Sequence, residues 1–313
     1  MPKTAIGLVA LAIACWALAS RYLPVTNHLV LLSAALSPYL MVGAPVAAIV
    51  LLLAGRWWLV TIAVASTAAM LAVELPLYLS SDTAQPDGIT IRVMTANLRL
   101  GLADAGQFVK SADAQADILA VQELTPREVA RLNDAGLDAT FRYRWLDPRP
   151  GASGGGLWSR FPTYDNKRIG GYTMALVSGR IRLGDRAIDP TVLVMHLPGP
   201  WPQPIDDWRR DITRLPATLD ETAAAASGGA VIAAGDLNST SDMRTFRALL
   251  GSGYRDAAEQ SGAGIKPTFP ADWPPPPFVA IDHVLTRNCT ATSLRTVTIP
   301  GSDHLGVVVS VVV

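Results

Sequence analysis

The chain has 313 residues, half of them apolar, with 26 basic and 26 acidic side chains and a formal net charge of zero. Between Met1 and Leu79 the charged residues are Lys3, Arg21, Arg56 and Glu74, which leaves the remainder slightly acidic, with 23 basic against 25 acidic residues. Non-specific binding of nucleic acid draws on a basic excess; its absence argues against that partner, short of a local basic groove, and two cysteines (Cys15, Cys289) neither build a disulfide framework nor decide the compartment.

Three apolar stretches come first: Thr4–Leu23, His28–Ala54 and Trp57–Leu79. Each meets the length of roughly 20 mainly apolar residues that a spanning helix needs, so residues 1–80 are expected to be a three-helix transmembrane region. The first stretch alone would also suit a signal peptide, but two more directly behind it argue otherwise. Pro38 and Pro45 predict a kink in the second stretch, or a break near Ser37-Pro38. Lys3, the amino terminus and Arg56 fall on one side and Arg21 on the other, which places the N-terminus in the cytoplasm and, after three crossings, the rest of the chain outside it. Trp57, Trp58, Tyr22 and Tyr78 lie near segment ends, as interfacial aromatics do. Residues 81–88, in the polar run SSDTAQPDG, are expected to be a short linker, and 89–313 a single globular domain.

That domain alternates apolar runs with helical patterns. Strands are expected at Ile89–Ala96, Asp117–Gln122, Gly155–Ser159, Thr173–Leu183, Thr191–Met195, Ala230–Ala234, Val279–Ile281 and Gly306–Val313. Helices are expected at Asp104–Ala116, Thr125–Gly136, Asp206–Ala226 and Asp242–Leu250, with Thr125-Pro126 as a helix start. Strand after strand ends on Asn97, Glu123, His196, Asp236 or Asp282. In α/β folds such ends hold polar groups on a rigid base, so one site assembled from them is expected.

The stretches MTANL (94–98), LAVQE (119–123), GGLWSRFP (155–162), VMHL (194–197), GDLN (235–238), IDHV (281–284) and GSDH (301–304) resemble, in order and spacing, the endonuclease/exonuclease/phosphatase superfamily. The resemblance implies an α/β four-layer sandwich, α/β/β/α, of two mixed sheets flanked by helices, with the site at one mouth. It also implies a metal-dependent phosphoester hydrolase using Mg2+, with Mn2+ as an alternative. Under it Glu123 is the main metal ligand, Asn97 lies beside the metal, and Asp303 contributes to the same region. His304 is the catalytic imidazole and Asp282 its partner carboxylate. Asp236 positions or deprotonates the attacking water, the choice of base between Asp236 and His304 staying open, and Asn238 and His196 donate hydrogen bonds to phosphoryl oxygens. His283, beside the matched aspartate, is read as structural. Many relatives carry an aspartate where this chain has Arg99; the arginine either binds a phosphate or is a surface residue.

Three spans followed by this domain also resemble, in architecture, the VanJ-type membrane phosphatases linked to teicoplanin resistance, an antibiotic-resistance function. That resemblance implies a lipid-linked phosphate such as undecaprenyl pyrophosphate as substrate and the bilayer as partner. Two loops of low charge support it, LPGPWPQPI (197–205) and TFPADWPPPPF (268–278), whose Trp201 and Trp273 are candidate substrate contacts unless they are core. An extracytoplasmic nuclease is the alternative, with Arg142, Arg144, Arg149, Arg160, Lys167 and Arg168 as its groove. A non-catalytic phosphate-binding protein is the third reading.

Overall fold

The computed structural model describes residues 2–80, 88–184 and 189–313. The expected linker, Gly88 apart, therefore lies outside the described residues. Helix α1 (Pro2–Ser20) comes first, followed by three short helices, α2 (His28–Ala35), α3 (Ser37–Met41) and α4 (Gly43–Leu52), and then α5 (Trp57–Glu74), which a 3-10 turn extends through Tyr78. Among the described residues, two helical segments, Pro2–Ser20 and Trp57–Tyr78, are each long and apolar enough to cross a membrane. The middle stretch is not one straight helix: its limbs His28–Ala35 and Ser37–Leu52 are bent by 68°. The break falls at Leu36, where Pro38 follows at the start of α3 and has no backbone N–H to continue the helical ladder.

Small residues let these helices approach closely. A Cβ on Gly7 would meet the Leu51 side chain, and one on Gly43 would meet Ala10 O. Residues 7 and 10 thus face 51 and 43, so α1 and α4 run antiparallel. One cluster joins Leu11, Ala47, Leu51, Leu59 and Ala63, and another joins Ala14, Ala17, Met41, Ala44 and Met70, so α5 runs alongside α1 in the same direction.

From residue 88 onward, β1 (Thr90–Asn97), α6 (Ala105–Gln115), β2 (Ile118–Gln122), α7 (Pro126–Asp134), α8 (Leu137–Thr140), β3 (Tyr143–Asp147) and β4 (Gly155–Ser159) form the first half. Then follow β5 (Thr163–Ile169), β6 (Leu176–Ile181), β7 (Thr191–His196), α9 (Asp206–Ala225), β8 (Val231–Asp236), α10 (Arg244–Arg247), β9 (Arg255–Asp256), α11 (Ala257–Gln260), β10 (Asp282–Arg287), β11 (Thr290–Thr298) and β12 (Leu305–Val312). Two six-stranded sheets result, in the orders β11-β12-β1-β2-β4-β3 and β5-β6-β7-β8-β10-β9. Both mix parallel and antiparallel pairs.

Strand alternation sorts the apolar side chains into layers. Val93, Ile118, Ala120, Val192, Val194, Ile232, Ala234, Val284 and Val309 pack between the sheets. Their sequence neighbours face outward. Met94, Leu119 and Val121 meet Phe108 of α6 and Leu132 of α7, while Leu193, Met195, Val231 and Ala233 meet Trp208, Ile212 and Leu215 of α9. The expected four-layer sandwich is the observed one. Each such aliphatic side chain contributes about 1.5–3 kcal/mol on burial, and the alternation fixes register, because a one-residue slip would turn every one of them to the wrong face.

The Thr125 hydroxyl caps α7 by accepting from Glu128 N, with Pro126 in the first turn, as expected. Strands β3, β5, β9 and β11 went unforeseen, and the strand expected at Val279–Ile281 begins instead at Asp282, preceded only by an isolated Phe269–Val279 bridge.

Candidate active site

The parity that places valines between the sheets also aims the site residues. Asn97, His196, Asp236 and Asp282 occupy the same alternation as Val93, Val194, Ala234 and Val284, so they face the inter-sheet mouth. Strand β7 is parallel to β8, which puts His196 opposite Asp236. Strand β10 is antiparallel to β8, so its first residue, Asp282, also lies opposite Asp236. His304, just ahead of antiparallel β12, reaches the same mouth. His283 takes the opposite parity and turns away. It bonds Asp256 at 3.1 Å and Ser239 O at 2.9 Å and packs on Phe246, which is a structural role.

Close packing is needed here. A Cβ on Gly235 would sit 1.8 Å from Met195 O, so only glycine lets β7 and β8 bring His196 and Asp236 together. Glu123 adopts a left-handed backbone, φ 56°, as does Asn238, φ 47°. That conformation disfavours a residue with a β-carbon, and it turns the Glu123 carboxylate back over the strand end. There its oxygens accept from Asn97 Nδ2 at 3.2 Å and Leu100 N–H at 2.6 Å. Asn97 Nδ2 also donates to Asp236 Oδ2 at 3.0 Å, so this one amide ties the two carboxylates together.

His304 Nδ1 lies 2.9 Å from Asp282 Oδ2, and its Nε2 is 3.8 Å from Asp236 Oδ2. Burial opposes protonation of this imidazole, but Asp282 and Asp236 outweigh it and lift the group to about 10. Burial, then the neighbouring Asp282 carboxylate, push Asp236 above the ordinary carboxylate range. Glu123 is also raised, by burial first and against the hydrogen bonds from Asn97 and Leu100 N–H. Burial lowers His196, whose Nε2 stands 3.9 Å from Asp236, so it enters as neutral imidazole. The result is a buried acid–imidazole array whose protonation states are held well apart.

A model of the Endonuclease/Exonuclease/phosphatase family matches residues 94–304, the span that carries all of these groups. The chain belongs to that family. Its members are hydrolases acting on phosphoester bonds. Among solved structures, a humanised Danio rerio TDP2 matches with a TM-score of 0.60 at 17% identity, covering 72% of this chain and 99% of that one. Danio rerio TDP2 complexed with a single-strand DNA product matches with a TM-score of 0.58, also at 17% identity, covering 72% and 99%. An endonuclease/exonuclease/phosphatase from Bacteroides vulgatus matches with a TM-score of 0.56 at 14% identity, covering 71% and 98%. At these identities the likeness is one of fold. A search of curated proteins finds no match.

Enzymes of this family generally use a divalent metal, and the residues here fit one. Among the described residues, ligand atoms of Asp236, Asp282 and His304 lie within 4.8 Å of one another. Asp282 Oδ1 is buried without a hydrogen-bond partner. An orphaned buried carboxylate oxygen is costly unless a cation or water meets it. Glu123 adjoins this group through Asn97, so hard oxygen donors converge on the cleft.

The remaining sequence candidates lie around the mouth. Asn238 has its N–H on Asp236 Oδ1 at 2.9 Å and its Nδ2 on Leu197 O at 3.0 Å, which engages one amide hydrogen before any substrate arrives. Arg99 pairs with Asp272 at 2.8 Å and reaches Asp303 at 3.9 Å, so the Asp303 carboxylate faces a guanidinium at the rim. Trp201 and Trp273 are exposed and not core. Sequence reasoning missed three supports. Ser302 donates to Asn97 O at 2.7 Å and accepts from His304 N at 3.0 Å; Phe269 packs 4.9 Å from the His304 ring; and Asp272 holds Arg99. Ser302 stood within the GSDH stretch, and Phe269 and Asp272 within the TFPADWPPPPF loop, where Trp273 alone was singled out.

Proposed function

We propose that the chain is a membrane-tethered, Mg2+-dependent phosphoester hydrolase that acts on a phosphate carried by a lipid, such as undecaprenyl pyrophosphate. One observation carries the substrate class: the loops that bear Trp201 and Trp273 flank the polar cluster and are attached to the apolar helices. The Trp201 ring stands edge-on to His28 at 5.1 Å, and Tyr39 Oη donates to Phe278 O at 2.7 Å. The architectural resemblance to VanJ-type phosphatases supports the same substrate and a role in antibiotic resistance.

In this reading Glu123, with Asn97 beside it and Asp236 within reach, holds the cation, which supplies charge neutralisation at the phosphoryl oxygens when bound. Asp236 orients the attacking water and takes its proton, since its raised affinity suits a base near neutral pH. His304, protonated and fixed by Asp282, stabilises the charge that develops on the phosphoryl group. His196 and the free amide hydrogen of Asn238 donate to the same oxygens.

The domain is read as extracytoplasmic. Lys3 and Arg56 share one end of the helical region. Arg21 lies at the other end, so the count of basic residues favours the end with Lys3 and Arg56 as the cytoplasmic one.

A nuclease is the second reading, favoured by the single-strand DNA product bound to Danio rerio TDP2. Against it, five of the six groove residues, Arg144, Arg149, Arg160, Lys167 and Arg168, pair with aspartates, Arg149 and Arg168 sharing Asp147, which leaves little of the free charge a phosphate backbone needs. The test offers the purified full chain, in detergent with Mg2+, a polyprenyl pyrophosphate, a phospholipid and plasmid DNA. Phosphate release from the lipid supports the proposal. DNA cleavage without lipid turnover refutes it, and no turnover of any substrate favours a phosphate-binding protein.

A further inference from the structure

Among the described residues from 88 onward, large apolar side chains are exposed at few places, and five of them lie on loops that flank the site: Leu100 (48%), Leu102 (62%), Trp201 (56%), Trp273 (60%) and Phe278 (37%). They come from three separate loops. Two of these are the tryptophan–proline loops. The third, after β1, carries the alternate leucines of LRLGL (98–102).

That third loop is held in an unfavourable backbone. Arg99 (φ 46°), Leu100 (φ 55°) and Gly101 (φ 72°) are consecutive left-handed residues, a conformation disfavoured by a β-carbon at the first two. The surroundings impose it. Leu100 N–H is fastened to Glu123 at 2.6 Å, and Arg131 donates to Gly101 O at 2.9 Å and Ala103 O at 3.0 Å. Strain maintained this way, used to display leucines to solvent beside a catalytic carboxylate, points to a ligand for those leucines.

The three loops are linked to one another and to the helices. Arg99 pairs with Asp272, the neighbour of Trp273. Tyr39 bonds Phe278 O, and His28 meets Trp201 and bonds Pro200 O at 3.0 Å. Helix α2 buries Val30, Leu31 and Ala34 in the same cluster as Leu197, Ile205 and Trp208, while Leu29 and Leu32 stay exposed. The mouth rim is therefore continuous with the apolar exterior of the helices. Residues with an apolar body and a polar tip, such as Trp201 and Trp273, favour the interfacial layer of a bilayer.

We infer that Leu100, Leu102, Trp201, Trp273 and Phe278 form one lipid-contacting rim that seats in the interfacial layer of the bilayer, so that the mouth receives phosphate groups laterally from the headgroup plane. This rests on the membrane-tethered reading above and adds where and how the mouth meets the membrane. The occupant is the lipid surface itself. A peptide partner would need none of the continuity with α2 and α3.

The test uses the full chain with Cys15→Ala and Cys289→Ala, reconstituted in phospholipid nanodiscs. Nitroxides are placed by Leu102→Cys, Trp273→Cys and, as an aqueous control on β3, Tyr143→Cys. Collision rates with oxygen and with a water-soluble nickel chelate are compared. Labels at 102 and 273 are expected to shift toward oxygen relative to 143; rates matching 143 overturn the inference. A second measurement uses Leu102→Ser/Phe278→Ser. This variant is expected to raise half-saturation by vesicle-borne substrate roughly tenfold and to leave turnover of a soluble nitrophenyl phosphodiester unchanged. Equal losses on both substrates count against the rim. Lipid-facing labels without turnover of any lipid phosphate would keep the rim and sink the substrate reading; water-facing labels with lipid turnover would do the reverse.

Discussion

The candidate site gathers a few side chains whose charges are set by burial and by each other. Replacing His304 or Glu123 with alanine is expected to lower the rate by about two to three orders of magnitude, the usual size of acid–base and electrostatic contributions. Activity within a few-fold of the parent in either variant would refute the assignments. Away from the site, Glu128 gives a pH prediction. Burial, opposed by Arg131 at 2.6 Å, raises this carboxyl to about 7, and its Oε1 has no partner. The folded state therefore holds the proton more tightly than the unfolded chain does. Stability from this group is full below the unfolded value near 4.5 and falls as pH rises to about 7. Glu128→Gln is thus expected to be more stable than the parent at pH 8, by up to about 3 kcal/mol, with the gain vanishing toward pH 4.5. Denaturant melts of both proteins across that range check it, and a gain that grows at low pH would contradict the sign.

At the scale of elements, the catalytic ends depend on how closely strands approach and which way they run. Gly235→Ala forces its β-carbon against Met195 O, a backbone atom that cannot turn aside. The expected cost is about 1–3 kcal/mol or more, together with a loss of activity, because His196 and Asp236 lie in register across that contact. An unchanged melting temperature and rate would show that β7 and β8 have slack. The central strands were legible because both faces are buried and their apolar runs are unbroken. Strands β3, β5 and β11 were not. As half-exposed strands they read YRWLD, TYDNKRI and TATSLRTVT, patterns whose pairing is decided by neighbours rather than by local composition.

At the scale of the whole molecule, the helices and the catalytic domain share a buried ionic joint. Arg21 pairs with Glu74 of α5 and with Asp242, and Arg247 donates to Arg21 O. Removing one partner from such a joint leaves an uncompensated buried charge. Arg21→Ala is therefore expected to cost about 3–5 kcal/mol, and Arg21→Met with both Glu74→Gln and Asp242→Leu to recover much of that. Thermal melting in detergent checks both, and additive losses in the triple variant would show that no joint exists. Binding of a divalent cation adds stability by mass action. Chelation is thus expected to lower the melting temperature and Mg2+ to restore it, by about 2.7 kcal/mol at a hundredfold excess over Kd. A melting temperature indifferent to both would remove the cation from the site.

The sequence by itself determined much of this protein: an apolar, charge-poor first quarter, the break near Ser37-Pro38, the core strands, and the polar residues at their ends. These are local properties of composition and periodicity, and they survive whatever the chain folds against. Tertiary structure decided the rest. It set Asp282 and His304 at the start of antiparallel strands and still brought them to the mouth formed by the ends of parallel ones. It turned Arg99 onto Asp272, tied Glu123 to Leu100 N–H through a left-handed backbone, and exposed Leu100 and Leu102 in the loop after β1. Each of these is a contact between segments far apart in the chain, which no local pattern encodes.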